Sequence, residues 1–330
     1  MPLPVRPTPR LLPAAALLVV IALGGRTTSC AAQPPAAPEA LPPPPPAAVL
    51  RGAYAYTPAR PFPVTAKGQT GAEADKEADT VREHIVFTNT AGSTVTGTLL
   101  LPKGKRGMPC VLLLHGAGSD KETMVRVFGD PLAKRGVASL SLDAAEHGER
   151  KTKTAAGAAA PPSIQDPRVF ARILRTTVSD YRQALDYLQT RQEVDARHIG
   201  LLGYSMGAMM GAMVAGVDER VAASVLCVGG DPVRPYIALV PKSDTLNVEA
   251  ISPSNYVGLI SPRPVYLLNA KDDKTMPAAA ARRLQEAAKE PKTVVWAEGG
   301  HILPSAATRP AIIWLTEKLT ATPAAPNPQP

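Results

Sequence analysis

Apolar positions in this chain fall into short runs separated by longer helical repeats. "EHIVFTN" from Glu83 and "TVTGTLLLP" from Thr94 alternate apolar with polar residues, and turn residues between Asn89 and Ser93 join them, which predicts a β-hairpin. "CVLLLHG" from Cys110 is apolar throughout, as a strand covered on both faces should be, and "GVASLSLD" from Gly136 repeats that pattern. A long helix is expected next, opened by Asp166 as cap and Pro167 in the first turn, with Val169, Ile173, Tyr181, Leu185 and Leu188 on its apolar face. "HIGLLGYS", "VAASVLCVG", "RPVYLLNA" and "KTVVWAEG" complete the strands, and helical stretches are expected at 277–289 and 309–319. Strands alternating with helices predict the α/β class: a mostly parallel eight-stranded sheet with helices on both faces.

The two ends do not fit this pattern. Arg6 and Arg10 precede an apolar run from Leu11 to Leu23, and small residues follow as far as Cys30. That order predicts a secretory signal over 1–30, because the run is shorter than the ~20 residues needed to span a bilayer. "TTSC" leaves two endings open: lipidation of Cys30 as a membrane tether, or ordinary cleavage near Ala31 or Ala32. Residues 31–48 are a Pro/Ala-rich linker suited to extended polyproline II, and 321–330 are expected to be a disordered tail. One domain is expected over 49–320. The location implied is an exported bacterial protein, periplasmic, secreted or lipid-anchored.

The net charge of +8 includes Arg6, Arg10 and Arg26 of the signal, so the folded part is only mildly basic. No aromatic–basic interleaving supports nucleic-acid binding. Three cysteines, Cys30, Cys110 and Cys227, show no metal-ligand spacing, so no metal and no cofactor are expected.

The candidate chemistry centres on Gly203-Tyr204-Ser205-Met206-Gly207, where an apolar strand runs into an Ala- and Met-rich helix. Glycines flanking a serine at such a turn suit a nucleophile elbow that exposes Oγ at the C-terminal edge of the sheet. Serine attacks only when a base takes its proton. Of five histidines, His84 and His198 fall in or before strands, whereas His115, His147 and His301 follow strands at the site's edge. His301, behind two glycines, is the expected base, and holding loops by hydrogen bonds is the expected duty of His115 and His147. The carboxylate that orients the base should follow "RPVYLLNA", where Asp272 and Asp273 both stand. The backbone N–H of Met206, at the start of the next helix, is one expected oxyanion donor.

The order of these segments resembles the α/β-hydrolase family, and in detail its dienelactone-hydrolase-like and acetyl-xylan-esterase-like members. The matching stretches are "GTLLLPKG", "PCVLLLHGAGSDK", "SLDAAEHGER", "DYLQTRQEVDARHIGLLGYSMG", "SPRPVYLLNAKDDKTMP" and "EGGHILP", together covering about 81–319. The resemblance implies a triad of Ser205, Asp273 and His301 and a second oxyanion donor at Ala117. It also places His115, Gly116, Tyr204 and Tyr236 around the substrate, with Ile237 beside Tyr236. No large cap is expected, since "GGDPVRPYIALVPKSDTLNVEA" is short. In that sheet Cys110 and Cys227 lie too far apart for a disulfide, whose Cα atoms sit within ~7 Å, so two buried free thiols are expected.

The function implied is an exported serine esterase without a cofactor, acting on short acyl esters of small molecules or polysaccharides. Dienelactone-cleaving relatives use cysteine as nucleophile, so Ser205 speaks against that activity. Trp296 and Trp314 are not placed as the aromatic clamp of polyester hydrolases. The alternatives are a serine peptidase or thioesterase on the same fold, or a non-catalytic binding protein.

Overall fold

The computed structural model describes residues 43–58, 64–68, 79–152, 166–235 and 245–321. The expected signal, Cys30, most of the linker, the Ala-rich loop after Lys151, Tyr236, Ile237 and the tail lie outside the described residues. Among the described residues no helix is long and apolar enough to cross a membrane.

Nine strands form one sheet: β1 (Val64–Gly68), β2 (Thr80–Thr88), β3 (Thr94–Pro102), β4 (Met108–Leu114), β5 (Ala138–Leu142), β6 (Val194–Tyr204), β7 (Val221–Cys227), β8 (Val265–Ala270) and β9 (Lys292–Ala297). Eight of these are the expected strands. The ninth, β1, corrects the count. Its five residues, "VTAKG", hold only Val64 and Ala66 as apolar positions, too short a pattern to stand out, and it only edges β2, pairing antiparallel through Val64–Phe87 to Gly68–Glu83.

The helices are α1 (Ala47–Gly52), α2 (Lys121–Met124), α3 (Asp130–Ala133), α4 (Pro167–Leu188), α5 (Met206–Val217), α6 (Thr245–Glu249), α7 (Ser254–Val257), α8 (Ala278–Ala287) and α9 (Ser305–Thr320). A π turn, Val125–Gly129, joins α2 to α3 without a break. The Asp166 side chain caps α4 by accepting from the Arg168 N–H at 2.8 Å. α1 begins inside the expected linker and buries Leu50, so the folded part starts slightly earlier than its composition suggests.

The strand order is β1-β2-β3-β5-β4-β6-β7-β8-β9, antiparallel up to β5 and parallel from there. From β4 the chain turns one way to β5 and the other way to β6. That reversal is a topological switch point, where open α/β sheets leave a crevice beyond the strand ends. One core lies under α4, α5 and α8 and includes Ile173, Tyr181, Met210 and Leu284. The other lies under the α2–α3 segment and α9 and includes Leu113, Phe128, Leu202 and Leu315. Cys110 and Cys227 are both buried and free, and burial pushes both thiols up to about 12.

Beyond β5, Asp143 is fully buried. Its carboxylate accepts from the Thr96 hydroxyl at 2.9 Å, from the Lys121 ammonium at 2.9 Å and from the Glu149 N–H at 3.1 Å. Burial alone would raise this carboxyl, but the Lys121 hydrogen bonds and charge outweigh it and hold it below the usual value. One charge pair thus ties the hairpin, the α2 start and the loop after β5. Lys121→Met would strand a buried carboxylate and should lower unfolding stability by about 3–5 kcal/mol. The same change at Arg51, whose pair with Glu219 is exposed, should leave the urea midpoint unmoved.

Candidate active site

Ser205 stands between β6 and α5 with φ +56°, a backbone region that non-glycine residues rarely occupy. Its N–H donates to the Cys227 carbonyl at 2.9 Å, which holds the turn against β7. The flanking glycines are required by contact. A Cβ on Gly203 would fall 2.3 Å from the Gly207 carbonyl oxygen, and one on Gly207 would fall 2.0 Å from that of Leu114. A Cβ on Gly116 would sit 3.2 Å from that of Ser205, so the loop after β4 lies directly on the turn.

The structure brings Ser205, His301 and Asp273 into one line. The Ser205 Oγ–H is 2.8 Å from His301 Nε2, and His301 Nδ1 is 2.8 Å from Asp273 Oδ2. Asp273 Oδ1 accepts from the Thr275 and Met276 N–H groups, each at 2.8 Å. Burial raises the Asp273 carboxyl, but the hydrogen bonds from His301, Met276 and Thr275 prevail and keep it below its usual value. Its side chain is only 5% exposed, while the neighbouring Asp272 is exposed and engages the loop after β9 through its backbone, its N–H reaching the Gly299 carbonyl. This arrangement can pass a proton from a serine hydroxyl to an imidazole whose far nitrogen is fixed as a donor.

Met206 is the first residue of α5, where helix N–H groups lack intrahelical partners. Ala117 lies in the wall of the cavity that opens beside Ser205.

Two expected substrate contacts have other roles. His115 is buried and does not reach the cavity. Its Nδ1 donates to the Gly116 carbonyl at 2.8 Å and its Nε2 accepts the Ala144 N–H at 2.9 Å, so it fastens the loops after β4 and β5. Its placement at the substrate is corrected, because those two bonds turn the ring into the protein. Tyr204 lines the cavity, but its hydroxyl donates to the His301 carbonyl at 2.7 Å and accepts from the Leu303 N–H at 2.8 Å. It holds the histidine loop in place, a role with no signature in the sequence.

The cavity has a volume of about 570 Å3 and reaches from Ser205 and His301 between the α2–α3 segment and α9. Its apolar walls include Met124, Phe128, Leu303 and Ile312, none of which the sequence motifs mark. Among the described residues no group of His, Cys, Asp and Glu could hold a metal ion.

Burial pushes His115 down to about 4, against a smaller upward pull from its bond to the Gly116 carbonyl. The folded state keeps this ring neutral where the unfolded chain, titrating near 6.5, takes up a proton. Folding stability should therefore fall as pH drops from about 6.5 towards 4, by up to about 1.4 kcal/mol per pH unit from this group. His147, also lowered by burial, adds in the same direction. Urea melts of His115→Gln between pH 7 and 4.5 should show a shallower slope than the parent, whatever its stability at pH 7.

Residues 111–256 match the model of the alpha/beta hydrolase family. The chain is 30% identical over 185 residues to the polyketide transferase ATR5 of Stachybotrys chlorohalonatus, covering 54% of this chain and 57% of that one. It is 26% identical over 152 residues to the uncharacterized protein PA2218 of Pseudomonas aeruginosa, covering 46% and 37%. The chain spans about half the length of the curated relatives it matches. The solved acetyl xylan esterase from Paenibacillus sp. R4 superimposes with a TM-score of 0.63 at 17% identity, covering 82% of this chain and 91% of that one. Sheet order, the strand–serine–helix turn and the matched segment together show the α/β-hydrolase fold.

Proposed function

We propose that the chain is an exported serine esterase that cleaves carboxylic esters through an acyl-enzyme on Ser205. The observation that carries this reading is the unbroken relay Ser205–His301–Asp273, with 2.8 Å at both contacts. As Ser205 Oγ bonds to the ester carbonyl carbon, its proton passes to His301 Nε2. The carbonyl oxygen becomes negative and is met by the N–H groups of Met206 and Ala117. Collapse expels the alcohol, which takes the proton back from Nε2. Water then repeats the sequence, with His301 as base, and releases the acid. Asp273 holds the imidazole in the tautomer that leaves Nε2 free to accept.

Esterases among the structural neighbours support an ester substrate, and the acetyl xylan esterases among them support a short acyl group on one arm. Export rests on the basic-then-apolar segment ahead of Cys30. Lipidation at Cys30 would tether the domain through its proline-rich stalk.

A fluorophosphonate probe should label the full chain, and Ser205→Ala should abolish both labelling and p-nitrophenyl acetate turnover. Asp273→Asn should lower kcat by roughly four orders of magnitude by fixing the wrong tautomer, while Asp272→Asn stays within roughly twofold. A folded, unlabelled parent protein would refute the reading.

A further inference from the structure

The crevice beside Ser205 is far larger than an acetyl group requires, and its chemistry is graded along its length. α2 begins just beyond the C-terminal end of β4, and α3 ends just before the start of β5. Because β4 and β5 are parallel, this helical segment runs from the serine edge of the sheet to the opposite edge. α9 starts beyond β9 and runs the same way beside it, against the same core. From Met124 near Ser205 to Arg135 the helical rise covers roughly 15 Å. The π turn supplies two adjacent residues, Val127 and Phe128, to the crevice wall. Val127 and Ile302 are 48% and 76% exposed, so apolar surface continues to the rim.

Charge appears at the end remote from the serine. Lys134 and Arg135 follow α3 there, and Arg309, on the second turn of α9 and ahead of Ile312, lines the same crevice nearer the serine end. No acidic residue lines the crevice. Among the described residues none of the three cations forms an ion pair; Arg135 donates only to the Pro131 carbonyl, at 3.0 Å. Three cations drawn from two separate elements thus line an apolar channel that starts at the nucleophile, with Lys134 and Arg135 at its remote end.

We propose that the substrate is an amphipathic ester, one arm of which is an apolar chain ending in an anion such as a carboxylate. The chain lies along Met124 and Phe128, and the anion is met by Lys134 and Arg135, with Arg309 reaching in from α9. This rests on the esterase reading and narrows it to a substrate class. A free anionic acid released from this arm would still fit the crevice, so such a product should also inhibit.

Two matched pairs of esters test the idea on the full chain. The first pair is p-nitrophenyl octanoate and the p-nitrophenyl half-ester of octanedioate, which varies the acyl arm. The second is octyl acetate and the acetate ester of ω-hydroxyoctanoate, which varies the alcohol arm. In one of the two pairs the anionic member should have roughly tenfold higher kcat/KM at low salt, as three exposed charge contacts together supply. The preference should shrink as ionic strength rises. Lys134→Gln, Arg135→Gln and Arg309→Gln should each reduce it by roughly two- to fivefold. No preference in either pair, or a preference that survives the triple variant with an unchanged melting temperature, overturns the proposal. If even p-nitrophenyl acetate is untouched, the esterase reading fails separately. Calorimetric binding of monomethyl octanedioate to Ser205→Ala then decides the crevice alone. Salt-sensitive binding lost in the triple variant upholds it, and absence of binding overturns it.

Discussion

Everything at this site depends on a backbone-to-backbone contact that no side chain could share. The end of β6, the first turn of α5 and the end of β4 approach so closely that Gly203 and Gly207 have no room for a Cβ, with carbonyl oxygens 2.3 and 2.0 Å from where it would stand. Such packing forces the chain to reverse within one residue, and Ser205 takes the positive φ that results. The strain is carried by surrounding structure: the Ser205 N–H is bound to β7, and α5 is buried along its whole length. The hydroxyl is thereby held on a rigid point rather than on a loop.

Around that point the loops are fastened by buried and partly buried polar groups. Asp143 and Lys121 join the segments after β4 and β5, and His115 adds two more hydrogen bonds between the same loops. On the other side Tyr204, the residue before the nucleophile, reaches across to hold both sides of the His301 loop. The base is thus positioned twice, by Asp273 through its ring and by Tyr204 through its backbone. A buried polar group left without such partners would cost the fold about 1–3 kcal/mol, which is why these contacts recur where the loops must not move.

Much of this was legible in the residues. Eight strands followed from alternation or from uninterrupted apolar runs, and the α4 start followed from Asp166 and Pro167. β1 was invisible because an edge strand pairs through its backbone and asks little of its side chains. Ser205 and His301 could be singled out because turns, glycines and chain order constrain them. Asp273 was separable from Asp272 only through the family's acid-to-proline frame, which Asp273 and Pro277 fit, and the physical difference lies in burial and in two backbone donors that only Asp273 meets. His115 shows the limit of such reading. The loop-holding duty expected of it is what the structure shows, but the substrate contact that the resemblance implied is not, because its ring is turned inward by hydrogen bonds to residues 116 and 144.

The sequence by itself determined the class of fold, the order of its strands and the residue types that meet at the serine. Those features are written in local periodicity and in glycines that local geometry demands. Tertiary structure alone decided the shape and charge of the space beside Ser205. Met124, Phe128 and Arg135 lie on one segment and Ile302, Arg309 and Ile312 on another, more than a hundred and fifty positions apart in the chain. Neither segment carries a motif, because a cavity wall needs only apolar surface and a charge at the right height. What brings them together is the parallel sheet, which starts both helices from the same edge and packs them side by side.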